Sequence, residues 1–567
     1  MRWVARCTDG EAPSHGSAIP RVVRLLLDQR GLCGPDPTGA PAVPSLEDRA
    51  DPFELPDLRV AAERIARALR DAEPIYVFGD YDVDGITSAA LLTRGLERMG
   101  GRVRTRVPNR LTDRYGLSRT AVEEAAAWGG SLIIAADSGT SALEEIALAS
   151  RLGLDVIVAD HHQPGPELPP AQALVNPWRS DSRYPFPDLS AAGVVTRLLE
   201  GLVRLGGTAG YDPREDLDLS ALGTVADSVP LQGENRILVH HGLQRIRANP
   251  RPGLRALIDA TRIDPSWITA TDLAYQIVPR LNAAGRLGDS ETALALLLSD
   301  ALPECRRLAA VLQRHNEERK ELLEQVVRQA TAGAEADPAV ASGMPLVLQG
   351  EGWHPGVLGI AAARLAERFS VPTILLTVED GVSRGSGRTA RGCDLLALVE
   401  DAAGSLRTYG GHRAAIGLTM ESGRFDQFRE RVLETARRTP GVVGGGERIL
   451  EVDLRATLAE LDFPLLDWLD RLEPFGVGNE EPVFAVRGRV AGPIRILKER
   501  HLRFDLIDKG EQRECIAFNF ADRAGELRVP ERTVHVAASV TRNRYRGRER
   551  LQLTVRELAI EDPFGDG

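Results

Sequence analysis

From about Leu58 to Asp160 the chain alternates helix-patterned and strand-patterned stretches, and few folds satisfy that alternation. VAAERIARALRDA has helical apolar spacing, IYVFGD is a buried strand, ITSAALLTRGLERMG is helical again, and VRTRVPN reads as a strand. AVEEAAAWGG then leads into SLIIAAD, and ALEEIALASRLG into DVIVAD. Short apolar strands separated by helices pair in parallel and are covered on both faces by the crossover helices. The expected fold class is therefore α/β, built on a mainly parallel sheet, with helices dominating from about Gly193 to Ala330.

At 567 residues the chain exceeds what one hydrophobic core organises, so several domains are expected. Residues 1–50 are rich in Pro, Gly and Asp and read as an N-terminal extension with one short helix near Arg21 to Gln29. Residues 51–300 form the first α/β block. Residues 301–340 hold a long charged helix, PECRRLAAVLQRHNEERKELLEQVVRQA, and a spacer, TAGAEADPAVASG. A second α/β block at 341–440 runs through PLVLQG, GVLGIAAARLAERF and TILLTVE. After the linker TPGVVGGGE, residues 450–567 alternate short strands such as IRILKER, RFDLID and VHVAASV, the pattern of a small antiparallel barrel.

No stretch reaches the length of apolar chain that spans a bilayer, and the N-terminus lacks the apolar core of a secretory signal, so no membrane association and a cytoplasmic location are expected. Cys7, Cys33, Cys305, Cys393 and Cys515 show no CxxC spacing, which suggests neither a disulfide framework nor a thiolate zinc site. The net charge of −11 argues against a polyanion partner until its distribution is considered. Between Arg487 and Leu558 there are 17 Lys and Arg against 10 Asp and Glu, a local excess of +7.

In GDYDVDGITSAA, Asp80, Asp82 and Asp84 leave a buried strand just before a helix, and alternate carboxylates there can surround hard cations. The next strands deliver Asp137, and then Asp160 with His161 and His162, to the same sheet edge. Carboxylate and neutral imidazole suit manganese, magnesium or zinc. Asp227 lies in the apolar segment ALGTVADSVPL and serves either as a further ligand or as a helix cap.

Arg110, Arg280, Arg286 and Arg388 offer guanidinium groups for phosphate. In GSGRT, Gly385, Ser386 and Gly387 admit close approach of backbone N–H groups to an anion, with a 5′-phosphate as the natural ligand. Gly410, Gly411 and His412 read as a glycine-lined turn bearing an imidazole. In TRNRYRGRERLQL, Arg542, Arg544, Arg546, Arg548 and Arg550 interleave with Tyr545, and Lys498, Arg500, His501, Arg503 and Phe504 form a second basic cluster. Both suit a single strand, which is bound by basic grooves with aromatic platforms.

GDYDVDG, the strand-terminal Asp137 and the triplet Asp160–His162 closely resemble the DHH phosphoesterases. VPNRLTDRYGLS, VADSVPL, PRLNAAGRLG, EGWHPGVLGIAAARL, GSGRT, YGGHRAAIGL and LEPFGVGNEEPVF narrow the resemblance to the RecJ exonucleases, with motif order kept over nearly the whole chain beyond residue 50.

That resemblance implies a DHH catalytic domain, a DHH-associated substrate-binding domain joined to it by the long helix, and an OB-type barrel. It implies two metal ions, Mn2+ or Mg2+, held by Asp82, Asp84, Asp137, His161 and Asp227, with Asp137 bridging. Asp80 stands where many relatives have histidine, which leaves it between direct ligand and supporting group. His161, His162 and Asp137 are the expected catalytic residues, with His162 at the scissile phosphate. Arg110, Arg280, Asn282, Arg286, Ser386, Arg388, His412, Arg544, Tyr545 and Arg546 are expected to bind substrate. The implied activity is 5′-to-3′ hydrolysis of single-stranded DNA to 5′-mononucleotides in recombination and repair, by a monomer cooperating with a helicase and a single-strand-binding protein. The alternatives are a phosphoesterase of the same superfamily acting on short oligonucleotides or a small phosphorylated nucleotide, and a binding protein that lost catalysis.

Overall fold

The computed structural model describes residues 2–6, 19–32, 43–110, 113, 116–206, 210–261, 263–389, 393–439, 449–529, 532–545 and 548–564. Contacts group the chain into two compact units, one of Ala50–Asp227 with His241–Gly446, the other of Met1–Arg49, Ser228–His240 and Glu447–Gly567.

In the first unit, β1 (Pro74–Phe78) leads through α1 (Val83–Arg98) to β2 (Arg102–Arg106), and β3 (Leu132–Ala136), β4 (Asp155–Ala159) and β5 (Ala173–Val175) follow. The sheet order is 2-1-3-4-5 and every pairing is parallel. The chain therefore changes direction between β1 and β3, and such a reversal leaves a crevice beyond the carboxyl ends of those two strands. Tyr76, Phe78, Ile133, Ala135, Val156 and Val158 pack one face of the sheet against helices, as a doubly covered sheet requires.

Helix α2 (Leu302–Ala336) has 35 residues and so spans roughly 50 Å. Its buried positions Cys305, Leu308, Leu312, Leu323, Val326, Ala330 and Ala334 form a stripe. The helix packs on helices Pro252–Thr261, Val278–Arg286 and Ser290–Leu298 and on helix Pro355–Phe369. It also absorbs Thr331–Ala336, expected to be spacer, because an Ala-rich run sustains helix until Pro338 forces Asp337 out of it. The second sheet contains β6 (Leu346–Glu351), β7 (Thr373–Glu379), β8 (Val382–Arg388), β9 (Thr408–His412) and β10 (Ala415–Glu421), in the order 9-10-8-7-6. Only β6 and β7 pair in parallel.

In the other unit, strands Phe484–Leu497, His501–Asp508, Glu511–Ala517, Arg548–Ala559 and Thr533–Tyr545 pair in that order, and the last closes on the first. The barrel is not wholly antiparallel as the strand pattern suggested: Glu511–Ala517 and Arg548–Ala559 run parallel, because the chain crosses before adding its last strand. Leu502, Phe504 and Leu506 alternate inward, so Phe504 is core and not a stacking platform. An exposed ring among the described residues of this unit is Phe518, which packs edge-on against His501 at 5.3 Å. The short helix Arg21–Gln29 inserts Val22, Val23, Leu26 and Leu27 into the same core, and Arg2–Ala5 pairs with Ile449–Val452. Residues 21–29 thus contribute to a core built otherwise by the C-terminal residues. Cys305, Cys393 and Cys515 are free and buried, and no helix among the described residues is long and apolar enough to cross a membrane.

Candidate metal centre and neighbouring arginines

Three strands of the parallel sheet carry the acids. Beyond β1, Asp82 caps α1, its Oδ1 accepting from the N–H groups of Asp84 (3.0 Å) and Gly85 (3.1 Å). The carboxylate of Asp84 accepts from the N–H groups of Ala191 (2.7 Å) and Ala192 (3.0 Å), at the start of helix Ala191–Arg204. Beyond β3, Asp137 has a φ of +59°, a left-handed backbone that a non-glycine residue adopts only where its surroundings hold it. Asp160, His161 and His162 follow β4, and Asp227 ends helix Leu217–Asp227.

The side chains converge. His161 Nε2 lies 3.3 Å from Asp137 Oδ1 and 3.9 Å from Asp84 Oδ2, and His161 Nδ1 lies 3.7 Å from Asp227 Oδ2. Three overlapping groups have ligand atoms within 4.8 Å of one another: Asp80, Asp82 and Asp137; Asp84, His161 and Asp227; Asp137, His161 and His162. Every metal ligand expected from the sequence is in one of them, Asp80 included.

Burial, and then the charge of Asp82, pushes the Asp80 carboxyl up to about 8. Asp84 and Asp137 are raised well above the carboxylate range by burial and by neighbouring carboxylates, and burial raises Asp227. Asp80 Oδ1 and His161 Nε2 are buried without a hydrogen-bond partner. Crowded acids with orphaned ligand atoms fit divalent cations, which restore the ionised state and supply the missing contacts.

Asp160, which the sequence places at this sheet edge without an individual role, organises the edge of this cluster. Burial would raise its pKa, but His162 Nδ1 at 2.7 Å, together with the Thr140 N–H at 3.0 Å, holds it below the usual range. Burial would lower His162, but the hydrogen bond to Asp160 and the charges of Asp160, Asp227 and Asp82 together outweigh it, so its pKa reaches about 9. A half-exposed imidazolium therefore stands beside the acids at neutral pH, oriented through Nδ1. The signal was already present in the triplet's spacing.

A second group of side chains carries positive charge. Arg286 is lowered to about 10 by burial and then by Arg110, Arg319 and Arg388. Arg319, on α2, was missed in the sequence because a charged helix offers many equivalent arginines. Arg110 lies over the ring of Tyr81 at 5.0 Å. Arg388 Nη1 donates to Ser386 Oγ (2.9 Å), and a Cβ at Gly359 would come within 2.9 Å of Arg388 Nη2, so both side chains lie against the backbone of helix Pro355–Phe369. Arg280 is engaged elsewhere, donating to Gln313 Oε1 (2.7 Å) and the Gln276 carbonyl, while Asn282 is half-buried on helix Val278–Arg286.

The backbone reading of GSGRT is corrected. Gly385, Ser386 and Gly387 belong to β8, which is paired with β7 on one side and β10 on the other, so their N–H groups belong to the sheet and do not form an anion cradle. What β8 offers is the side chains of Ser386 and Arg388, two apart on one face. Gly410, Gly411 and His412 likewise form an exposed edge strand and not a turn. The side chains of Arg544 and Tyr545, and Arg546 altogether, lie outside the described residues.

Residues 74–224 match the N-terminal domain of the DHH family, residues 340–438 the DHHA1 domain, and residues 452–557 the RecJ OB domain. The single-stranded-DNA-specific exonuclease RecJ of Salmonella typhimurium is 38% identical, over 98% of this chain and 99% of that protein. Its namesake in Bacillus subtilis is 33% identical, over 99% of this chain and 71% of that protein. The crystal structure of RecJ in complex with Mn2+ from Thermus thermophilus superposes with a TM-score of 0.80 at 32% identity, covering 98% of this chain and 79% of that one. The Mg2+ complex gives 0.75 at 30% identity, covering 98% and 78%.

Proposed function

The chain belongs to the RecJ single-stranded-DNA-specific exonucleases of the DHH superfamily, and on that premise we propose that it removes 5′-mononucleotides from the 5′ end of single-stranded DNA. The observation that carries the chemistry is the set of three overlapping groups of acids and imidazoles that meet at Asp137 and His161. Asp80, Asp82, Asp84, Asp137, His161 and Asp227 would hold the two ions, with Asp137 between them. Manganese or magnesium, which the relatives' structures contain, would supply an acidified water and charge neutralisation at this site.

The protein's own groups do the rest. His162, charged and fixed through Nδ1 by Asp160, can donate to a non-bridging phosphate oxygen or to the leaving oxygen. Arg110, Arg286, Arg319 and Arg388, with Ser386, are a ready counter-charge for a terminal phosphate, and their mutual repulsion is relieved when a dianion enters. Holding that phosphate sets which bond reaches the acids, so polarity would follow from spacing. Incubation with manganese and end-labelled single-stranded DNA, duplex DNA, RNA and dinucleotides tests the reading; preferential turnover of dinucleotides would favour the small-substrate alternative. A cytoplasmic monomer that works beside a helicase and a single-strand-binding protein completes the proposal.

Arg388→Ala is expected to reduce the preference for 5′-phosphorylated over 5′-hydroxyl ends roughly 10- to 100-fold, the equivalent of one charged hydrogen bond of ~1.5 to 3 kcal/mol. The rates on both end types, followed from a 3′ label, measure it; an unchanged ratio, or mononucleotides released first from the 3′ end, removes the assignment. Replacing Arg544, Tyr545 and Arg546 together is expected to weaken binding of long strands and flatten its salt dependence, because fewer counterions are released, while turnover of very short oligonucleotides changes little. Equal loss on short and long substrates would make the barrel structural.

A further inference from the structure

Two segments remain without a role in this chemistry, the residues that follow Asp227 in VADSVPL and beyond, and LEPFGVGN, and the structure joins them. The helix that carries Asp227 ends at that residue, and Ser228 turns the chain with a φ of +62°. The segment that follows is grouped with the C-terminal unit. There the Leu231 N–H donates to the Val477 carbonyl at 2.7 Å, Gln232 Nε2 donates to the Gly478 carbonyl at 2.5 Å, and Arg236 Nη2 donates to the carbonyls of Arg471 (3.2 Å) and Glu473 (3.3 Å).

The receiving loop is itself tied by internal hydrogen bonds. Asn479 is 5% exposed, its Nδ2 donates to the carbonyls of Leu472 (2.9 Å) and Pro474 (2.8 Å), and its backbone exchanges hydrogen bonds with Gly476. The fit is close enough that a Cβ on Gly476 would lie 2.6 Å from Leu231 Cδ1.

Asp227 has no backbone support of the kind that Asp82 and Asp84 have. Backbone N–H groups hold Asp82 and Asp84, whereas the Asp227 carboxylate accepts no hydrogen bond among the described residues and its side chain is 25% exposed. Its place is set by its backbone, and only Ser228, Val229 and Pro230 separate it from the clamped Leu231. Three residues, one of them proline, transmit a displacement with little slack.

We propose that the LEPFGVGN loop is a positioning element for the metal centre: by gripping Leu231, Gln232 and Arg236 it fixes the chain next to Asp227 and so sets the affinity for the cation that Asp227 helps to hold. The proposal rests on the reading of Asp227 as a ligand. Supports behind metal ligands typically change affinity ~10- to 100-fold when removed.

The test uses the full chain and Mn2+ alone, with free manganese followed by electron paramagnetic resonance. Gly476→Ala, which drives a methyl into Leu231, is expected to weaken manganese binding about 10-fold, and Gly476→Ala with Leu231→Ala to recover much of it. At saturating manganese the KM for single-stranded DNA stays at the wild-type value and kcat returns toward it. If Gly476→Ala does not fold, Gln232→Ala removes one hydrogen bond at the surface and is expected to show a smaller loss of the same kind. Unchanged manganese affinity in the folded variant overturns the proposal, whether or not DNA binding falls. Asp227→Asn separates the two readings: if it leaves manganese affinity intact, the ligand assignment itself is wrong; if it lowers the affinity and Gly476→Ala does not, only the clamp is.

Discussion

Asp137→Ala is expected to lower hydrolysis at least about a thousandfold while the protein remains folded, because the carboxylate shared by two of the three ligand groups has no neighbour that can replace it. Losing several kcal/mol of charge stabilisation corresponds to a factor of that size. In the metal-free state the substitution should leave stability unchanged or raise it. Asp137 is buried among Asp82, Asp84 and Asp80, whose charges, after burial itself, raise its pKa, and removing it relieves that crowding. Turnover at saturating manganese and urea unfolding in chelator check the two halves separately. Loss of activity accompanied by global unfolding would show that Asp137 is a structural residue.

The acidic cluster also makes stability depend on pH in a direction opposite to the usual acid denaturation. Asp80 titrates near 3.8 in the unfolded chain and about 8 in the folded one, so its contribution is complete below the unfolded value and is lost as pH rises through about 8. A shift of that size is worth on the order of several kcal/mol. Asp84, Asp137 and Asp227 are shifted in the same direction. His162, raised to about 9, likewise contributes below its unfolded value near 6.5 and less as pH climbs through 9. Asp160 acts the other way, but its contribution is complete well below pH 6 and does not change in this window.

Protein in chelator is therefore expected to show a Tm that falls from pH 6.5 to 9. Manganese binds the ionised acids, so the Tm increase it produces should grow over the same interval. Scanning calorimetry with and without manganese at each pH measures both. A metal-free Tm that rises through this range would mean that the acids are already ionised and compensated by protein groups.

Much of the centre is legible in the amino-acid sequence. Asp80, Asp82, Asp84, Asp137, Asp160, His161 and His162 stand directly after apolar runs, and a parallel sheet delivers such positions to one edge. Asp227 is harder to read, because a carboxylate at the end of an apolar helix is equally a cap, and its 3.7 Å approach to His161 is visible only in the folded chain. Phe504 and Phe518 show the same limit on the barrel: both stand near basic residues in the sequence, and the inward alternation of one strand sends the first to the core.

What the sequence by itself determined was the local alternation of strand and helix, the acids at strand ends, the long helix and the basic character of the last hundred residues. These depend on spacing along the chain. Only the tertiary structure decided that GSGRT is a central strand, that residues 21–29 complete the core of a barrel more than 400 positions away, and that LEPFGVGN grips the chain beside Asp227. Each of those outcomes turns on a hydrogen-bond or packing partner far away in sequence. A backbone N–H reads the same whether it will meet an anion or a neighbouring strand, and the partner that distinguishes them exists only once the chain has folded.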